Sequence, residues 1–260
     1  MKKRIALITA GLGLGALGIL SATGGSAASA PPIPNHRTEL AHILPGAHPN
    51  AVVYSNNWSG AAATGDTFRY VTASYSVPSV NCATTPSAFA YQWVGLDGFN
   101  SSSVEQDGVA GYCSNGSPTY FAWSEMYPAN VVVQFYLNPG DAITSNVYYS
   151  GSGNYTLSLK DLTSGQSFSQ SATCTTCLRN SAEVITEGYP SSPYNGLADF
   201  GAENYDGIGI TDSAGNKAGF YPSTHWSYTK IIQQGASGID SSPSTIYGGK
   251  AFTNTWYRQN

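Results

Sequence analysis

The sequence predicts an all-β fold, a sandwich or barrel of short strands. Three observations carry that expectation. Segments of five to nine residues alternate apolar and polar side chains with a period of two. Clusters of Gly, Pro, Asn and Ser separate them, as in Asn138-Pro139-Gly140-Asp141 and Ser164-Gly165. No stretch of about twelve residues keeps a 3.6-residue apolar period, so strands follow one another without intervening helices.

In chain order, Lys2, Lys3 and Arg4 precede an apolar run from Ile5 to Leu20 and a small, polar stretch from Ser21 to Ala30. That pattern predicts a secretory signal peptide over residues 1–30, with cleavage after Ala28 or Ala30. Residues 31–50 are rich in Pro and His, lack alternation, and read as a solvated N-terminal arm or a short propeptide. From residue 51 to 260 the pattern is β throughout and reads as one domain. Segments 69–77, 89–97, 120–127, 131–137, 143–149 and 155–160 are strands. In the first, Val71, Ala73, Tyr75 and Val77 form the apolar face.

Only 10% of the 260 residues are charged, whereas 12% are aromatic, enough apolar surface for a core of its own. The leader carries three of the eleven basic residues and no acid. The remainder therefore holds 8 basic and 15 acidic residues, a balance of −7 with His neutral. Such a chain is no basic nucleic-acid binder, and with few cations it builds little self-repulsion in acid. A secreted monomer is expected, with no membrane association once the leader is gone.

Four cysteines in an exported chain imply disulfides. Of three possible connectivities, Cys82–Cys113 and Cys174–Cys177 join near neighbours and are favoured. The usual hydrolase constellations fail for want of residues. His225 is the only imidazole beyond the arm, so neither a Ser-His-Asp site nor a zinc ligand set can form. No Gly-x-Ser-x-Gly elbow is present, and neither metal nor cofactor is expected. Asp141, Asp161 and Asp212 lie in turns and read as structural. The remaining candidates are carboxylates inside aromatic strands. Trp93 and Asp97 share parity, as do Trp123 and Glu125, and so do Glu183, Ile185 and Glu187. A carboxyl pressed against Trp loses hydration, which raises its pKa and suits acid–base work.

Six segments occur in an order that resembles one family. They are Ser55-Asn-Asn-Trp58-Ser-Gly60, Tyr75-Ser-Val-Pro78, Trp93-Val-Gly-Leu-Asp97-Gly98, Glu105-Gln106-Asp-Gly108-Val, Ala122-Trp123-Ser-Glu125-Met-Tyr127-Pro128 and Ala182-Glu183-Val-Ile-Thr-Glu187. The series is similar to the glutamic peptidases, or eqolisins, acid endopeptidases insensitive to pepstatin. The resemblance implies a sandwich of two antiparallel sheets, of concanavalin-like or jelly-roll type, and polypeptide substrates. It also implies a catalytic pair, Glu187 as general base and Gln106 as oxyanion donor. Trp93, Asp97, Trp123 and Glu125 match supporting or substrate-binding positions. The chain departs from the family pattern at Ala110, often Asp, and at Val184, usually aromatic. Two other readings share the aromatic sheets and carboxylates: a jelly-roll glycoside hydrolase and a non-enzymatic carbohydrate-binding sandwich. Glu183 and Glu187 would stand roughly 13 Å apart on one strand, too far for a retaining glycosidase pair at about 5 Å.

Overall fold

The computed structural model describes residue 33 and residues 37–44, 52–189 and 196–259. The signal peptide, its cleavage point, His36 and His48 lie outside these residues. The strands, in chain order, are β1 (Val52–Ser55), β2 (Trp58–Thr64), β3 (Phe68–Ser76), β4 (Phe89–Leu96), β5 (Val104–Ser114), β6 (Ser117–Tyr127), β7 (Val132–Tyr136) and β8 (Ala142–Gly151). They continue with β9 (Asn154–Asp161), β10 (Ser167–Thr173), β11 (Ser181–Glu187), β12 (Ala202–Asp212), β13 (Lys217–Ala218), β14 (Ser227–Gly235), β15 (Gly238–Pro243) and β16 (Phe252–Trp256). No helix among the described residues is long and apolar enough to cross a membrane.

Hydrogen bonding follows the path β10-β9-β8-β3-β12-β16-β15-β14-β2-β11-β4-β5-β6-β7. Every pairing along it is antiparallel, and only β1 runs parallel to its partner, β14. The path folds into two layers, and β12 belongs to both. Its first residues pair with β16 and its last with β3, with a register shift between Asp206 and Gly209. Gly207, at φ 60°, sits in that shift, where a side chain would be strained.

The period-two pattern has its expected cause. Val71, Ala73 and Tyr75 of β3, with Val147, Leu157 and Leu159, meet Val94, Val109, Ala122 and Val184 of the other layer in one buried cluster. The opposite face of that second layer carries a separate cluster, with Trp58, Phe89, Tyr91, Trp93, Trp123 and Ile185 among its members. An exposed sheet face would be polar on alternate residues. Here β4 and β11 are buried at every position, because Ile33, Leu40, Ala41 and Ile43 pack on the aromatic cluster from outside. The arm is therefore not solvated at this segment, contrary to the sequence expectation. Its small apolar residues close a face too rich in rings to stand in water.

Cystines join Cys82 to Cys113 and Cys174 to Cys177. Asp141, Asp161 and Asp212 accept backbone amides within their own turns, at Asn138 (2.8 Å), Thr163 (2.8 Å) and Asn216 (2.8 Å) respectively.

Candidate active site

The site lies on the aromatic face of β11, β4, β5 and β6. Strand β5 turns into β6 through Asn115-Gly116, both at positive φ (49° and 80°). That is the backbone a two-residue hairpin of matching twist requires, and Asn-Gly supplies it at least cost. The turn sets Ser114 opposite Ser117, and counting back along the ladder sets Gln106 opposite Glu125. Gln106 Nε2 accordingly donates to Glu125 Oε2 at 2.7 Å. Gly108, two residues on, has no substitute: a Cβ there would stand 2.0 Å from the Gln92 carbonyl oxygen and 2.8 Å from Trp93 Cα. Its absence lets β5 close on β4 and sets the backbone of Trp93.

On the adjoining strand, Glu187 ends β11 opposite Trp58 of β2 and Tyr91 of β4. Trp93 Nε1 donates to Glu187 Oε2 at 3.0 Å, and Trp58 packs edge-on to Trp93 with centroids 4.8 Å apart. Trp123 lies in the same cluster, edge-on to Tyr91 at 5.2 Å. Thus Gln106, Glu125, Glu187, Trp93 and Trp123 share one face. Asp97 does not join them. It follows β4 at φ 71°, which turns it out of the strand's alternation. Its carboxylate instead accepts the Arg179 and Asn180 amides at 2.6 and 2.9 Å. Glu183 shares the parity of Glu187 but lies four residues away. It is fully buried beside Asp97 and Glu105, and burial holds its carboxyl well above the usual range.

Among the described residues no hydrogen bond joins Gln106 to Glu187. The arm runs between them. The Thr38 hydroxyl accepts from Gln106 Nε2 at 2.6 Å and donates to Glu125 Oε2. The Thr38 amide donates to Glu125 Oε1 at 3.1 Å, and the Glu39 amide to Glu187 Oε1 at 2.9 Å. Thr38 is wholly buried. His42, by contrast, is exposed, with Nδ1 3.8 Å from Glu39 Oε2. Sequence reading missed Thr38 and Glu39, which sit in no motif, and also Asn57 and Tyr189, which grip the same segment. Asn57 lay within a quoted motif but carried no sign of its partner.

Burial dominates the electrostatics. It raises Glu125 to about 7, against the opposing pull of the Thr38 and Gln106 hydrogen bonds. It raises Glu187 as well, with further upward pressure from the charges of Glu125 and Glu39, while the Glu39 amide and Trp93 oppose it. Both carboxyls therefore favour the neutral form while the arm is in place. One group of potential metal ligands occurs among the described residues, Glu105 with Cys174 and Cys177. Those sulfurs are spent in a disulfide and offer no thiolate.

Comparison with known proteins agrees with this geometry. Residues 56–255 match the Peptidase A4 family. Aspergillopepsin-2 of Aspergillus niger is 28% identical over 191 residues, covering 64% of this chain and 67% of that protein. Scytalidopepsin B of Scytalidium lignicola is 32% identical over 148 residues, 54% of this chain and 55% of that protein. The solved structure of scytalido-glutamic peptidase with a peptide-based transition-state analogue superposes with a TM-score of 0.67. It is 25% identical, and the match covers 78% of this chain and 98% of that one. With a match across most of its length, a two-layer sheet of the same fold, and a Gln and two Glu on one aromatic face, this chain belongs to the Peptidase A4 family, the glutamic peptidases.

Proposed function

We propose that the protein is a secreted acid endopeptidase, insensitive to pepstatin, in which Glu187 is the general base and Gln106 the oxyanion donor. The observation that carries this reading is the arm itself. A peptide segment lies across the face, its main-chain amides on Glu125 and Glu187 and its Thr38 hydroxyl on Gln106. A groove that holds one polypeptide in this way suits polypeptide substrates. Glu187 takes a proton from the water that attacks the scissile carbonyl, then returns it to the leaving amine. The Gln106 N–H donates to the oxygen on which charge develops. Neither an amide donor nor a carboxylate base is disabled in acid as a protonated imidazole would be.

Residues 31–50 act in this reading as a propeptide, and residues 51–260 as the catalytic domain. The bound arm excludes water from Glu187 and keeps its pKa high, so the base is neutral in acid. Departure of the arm rehydrates the carboxyl, lowers its pKa and frees it to accept a proton. Latency is thus electrostatic as well as steric.

The test is cleavage of an acid-unfolded protein at about pH 3 with pepstatin present. Wild type, freed of its arm by its own processing in acid, should cut; Glu187→Gln should fold yet lose nearly all turnover. Comparable activity in the two would refute the role of Glu187.

A further inference from the structure

Besides the Thr38 hydroxyl and the packed apolar side chains, the arm is held through its main chain at residue after residue. Tyr189 Oη donates to the Arg37 carbonyl, and Trp58 Nε1 to the Glu39 carbonyl at 3.0 Å. The Ala41 amide donates to the Gly98 carbonyl at 3.3 Å. One side chain takes two of these groups. Asn57 Nδ2 donates to the Leu40 carbonyl at 2.8 Å, and Asn57 Oδ1 accepts the His42 amide at 3.0 Å. A carbonyl and the amide two residues later are the pair that one residue of a parallel strand engages. The Asn57 carboxamide therefore imitates a strand edge.

We propose that Asn57 is the clamp that holds the main chain of polypeptide substrates in this cleft, the arm occupying it in the latent protein. The inference rests on the peptidase reading of the site. Asn57 is fully buried and pre-set: the Ser55 hydroxyl donates to Oδ1 at 2.8 Å, fixing which end of the amide faces which partner. It immediately precedes Trp58, which stands opposite Glu187 in the ladder. Its Nδ2 lies 3.5 Å from Glu187 Oε1, so the clamp and the proposed base keep a fixed spacing. It touches no side chain of the arm in these contacts, which makes its grip independent of sequence. A carboxamide does not titrate, so the grip persists in acid as that of Gln106 does. An enzyme that digests unfolded chains needs such a main-chain contact near its base, whatever residues flank the bond it cuts.

Two measurements read the clamp, one without turnover. In the intact chain carrying Glu187→Gln, amide hydrogen exchange at residues 38–42 reports the hold on the arm. Adding Asn57→Ala should speed exchange there about tenfold or more, the cost of one to two good hydrogen bonds. In acid-processed enzyme with Glu187 intact, Asn57→Ala should raise KM for a peptide substrate by a similar factor, with kcat changed less than about threefold. Asn57→Asp guards against a folding defect because it keeps the shape. Protonated, it can still donate to a carbonyl; ionised, it repels both that carbonyl and Glu187. Its KM should therefore climb with pH relative to wild type. Faster exchange with unchanged KM would show that Asn57 serves the arm alone and would overturn the proposal, as would a flat KM ratio for Asn57→Asp. A wild type that cuts nothing after losing its arm would instead refute the peptidase reading.

Discussion

Replacing Glu105 with Gln should leave the protein about as stable as wild type in acid and markedly more stable at neutral pH. Glu105 is fully buried on the inward face of β5, and burial, then the charge of Asp97, pushes its carboxyl up to about 9 from 4.5. The folded protein thus keeps a proton that the unfolded chain releases above 4.5. Stability from this group is fully present below the unfolded pKa and drains away as pH rises toward the folded value, by about 1.4 kcal/mol per pH unit. Between pH 4.5 and 7 the loss is about 3 kcal/mol, a large part of the 5–15 kcal/mol typical of a domain. Glutamine does not titrate and escapes it. Urea or thermal unfolding, followed by circular dichroism at about pH 4 and pH 7 in a Glu187→Gln background to prevent self-digestion, measures the gap. At neutral pH the variant should melt about 6–12 °C higher. An equal difference at both pH values would refute the linkage argument and mark Gln as a packing change only. Glu203, raised to about 7 by its own burial, should show the same sign over a narrower window.

Gln106→Ala should lower kcat by about 10²–10³ with little change in folding, as expected for a lost oxyanion donor; steady-state kinetics on a peptide would check it. In the intact, arm-bound chain carrying Glu187→Gln, adding Glu125→Gln should leave stability little changed at pH 4, because Glu125, raised to about 7, is already neutral there. A marked loss of stability in urea unfolding at that pH would show that its charge is used. Replacing both Cys82 and Cys113 by Ser opens a loop of sequence separation 31 and should cost about 3–4 kcal/mol in the unfolding free energy measured by urea titration.

The strands were legible because each layer has a buried face, and burial on one side forces alternation on residues such as Val71, Ala73 and Tyr75. The cross-strand register of Gln106 and Glu125 was legible in principle. Asn115-Gly116 is a two-residue hairpin signal, and once the turn is placed, counting back pairs the two side chains. Asp97 went wrong because parity counts residues and assumes an unbroken strand; its positive φ breaks the count at the last position. The arm was legible as a segment apart from the strands, but its hold on the site was not. Much of that hold runs through peptide groups, which every sequence shares, and the Thr38 hydroxyl carries no sign in the sequence of its partners Gln106 and Glu125. The same applies to Asn57, whose importance resides in the spacing of two backbone groups belonging to another segment.

Strand β12 has a consequence for survival. Since its two ends complete different layers, neither layer can detach while the other stays whole; loosening one pulls on the hydrogen bonds of its neighbour. A peptidase in solution is surrounded by copies of itself, each able to cut any segment that opens for a moment. Susceptibility to such attack follows the population of partly open molecules, not merely the wholly unfolded ones. A shared strand suppresses the partly open forms and leaves full unfolding as the main route to being cut. Endurance among its own kind would then come from connectivity rather than from any single strong bond.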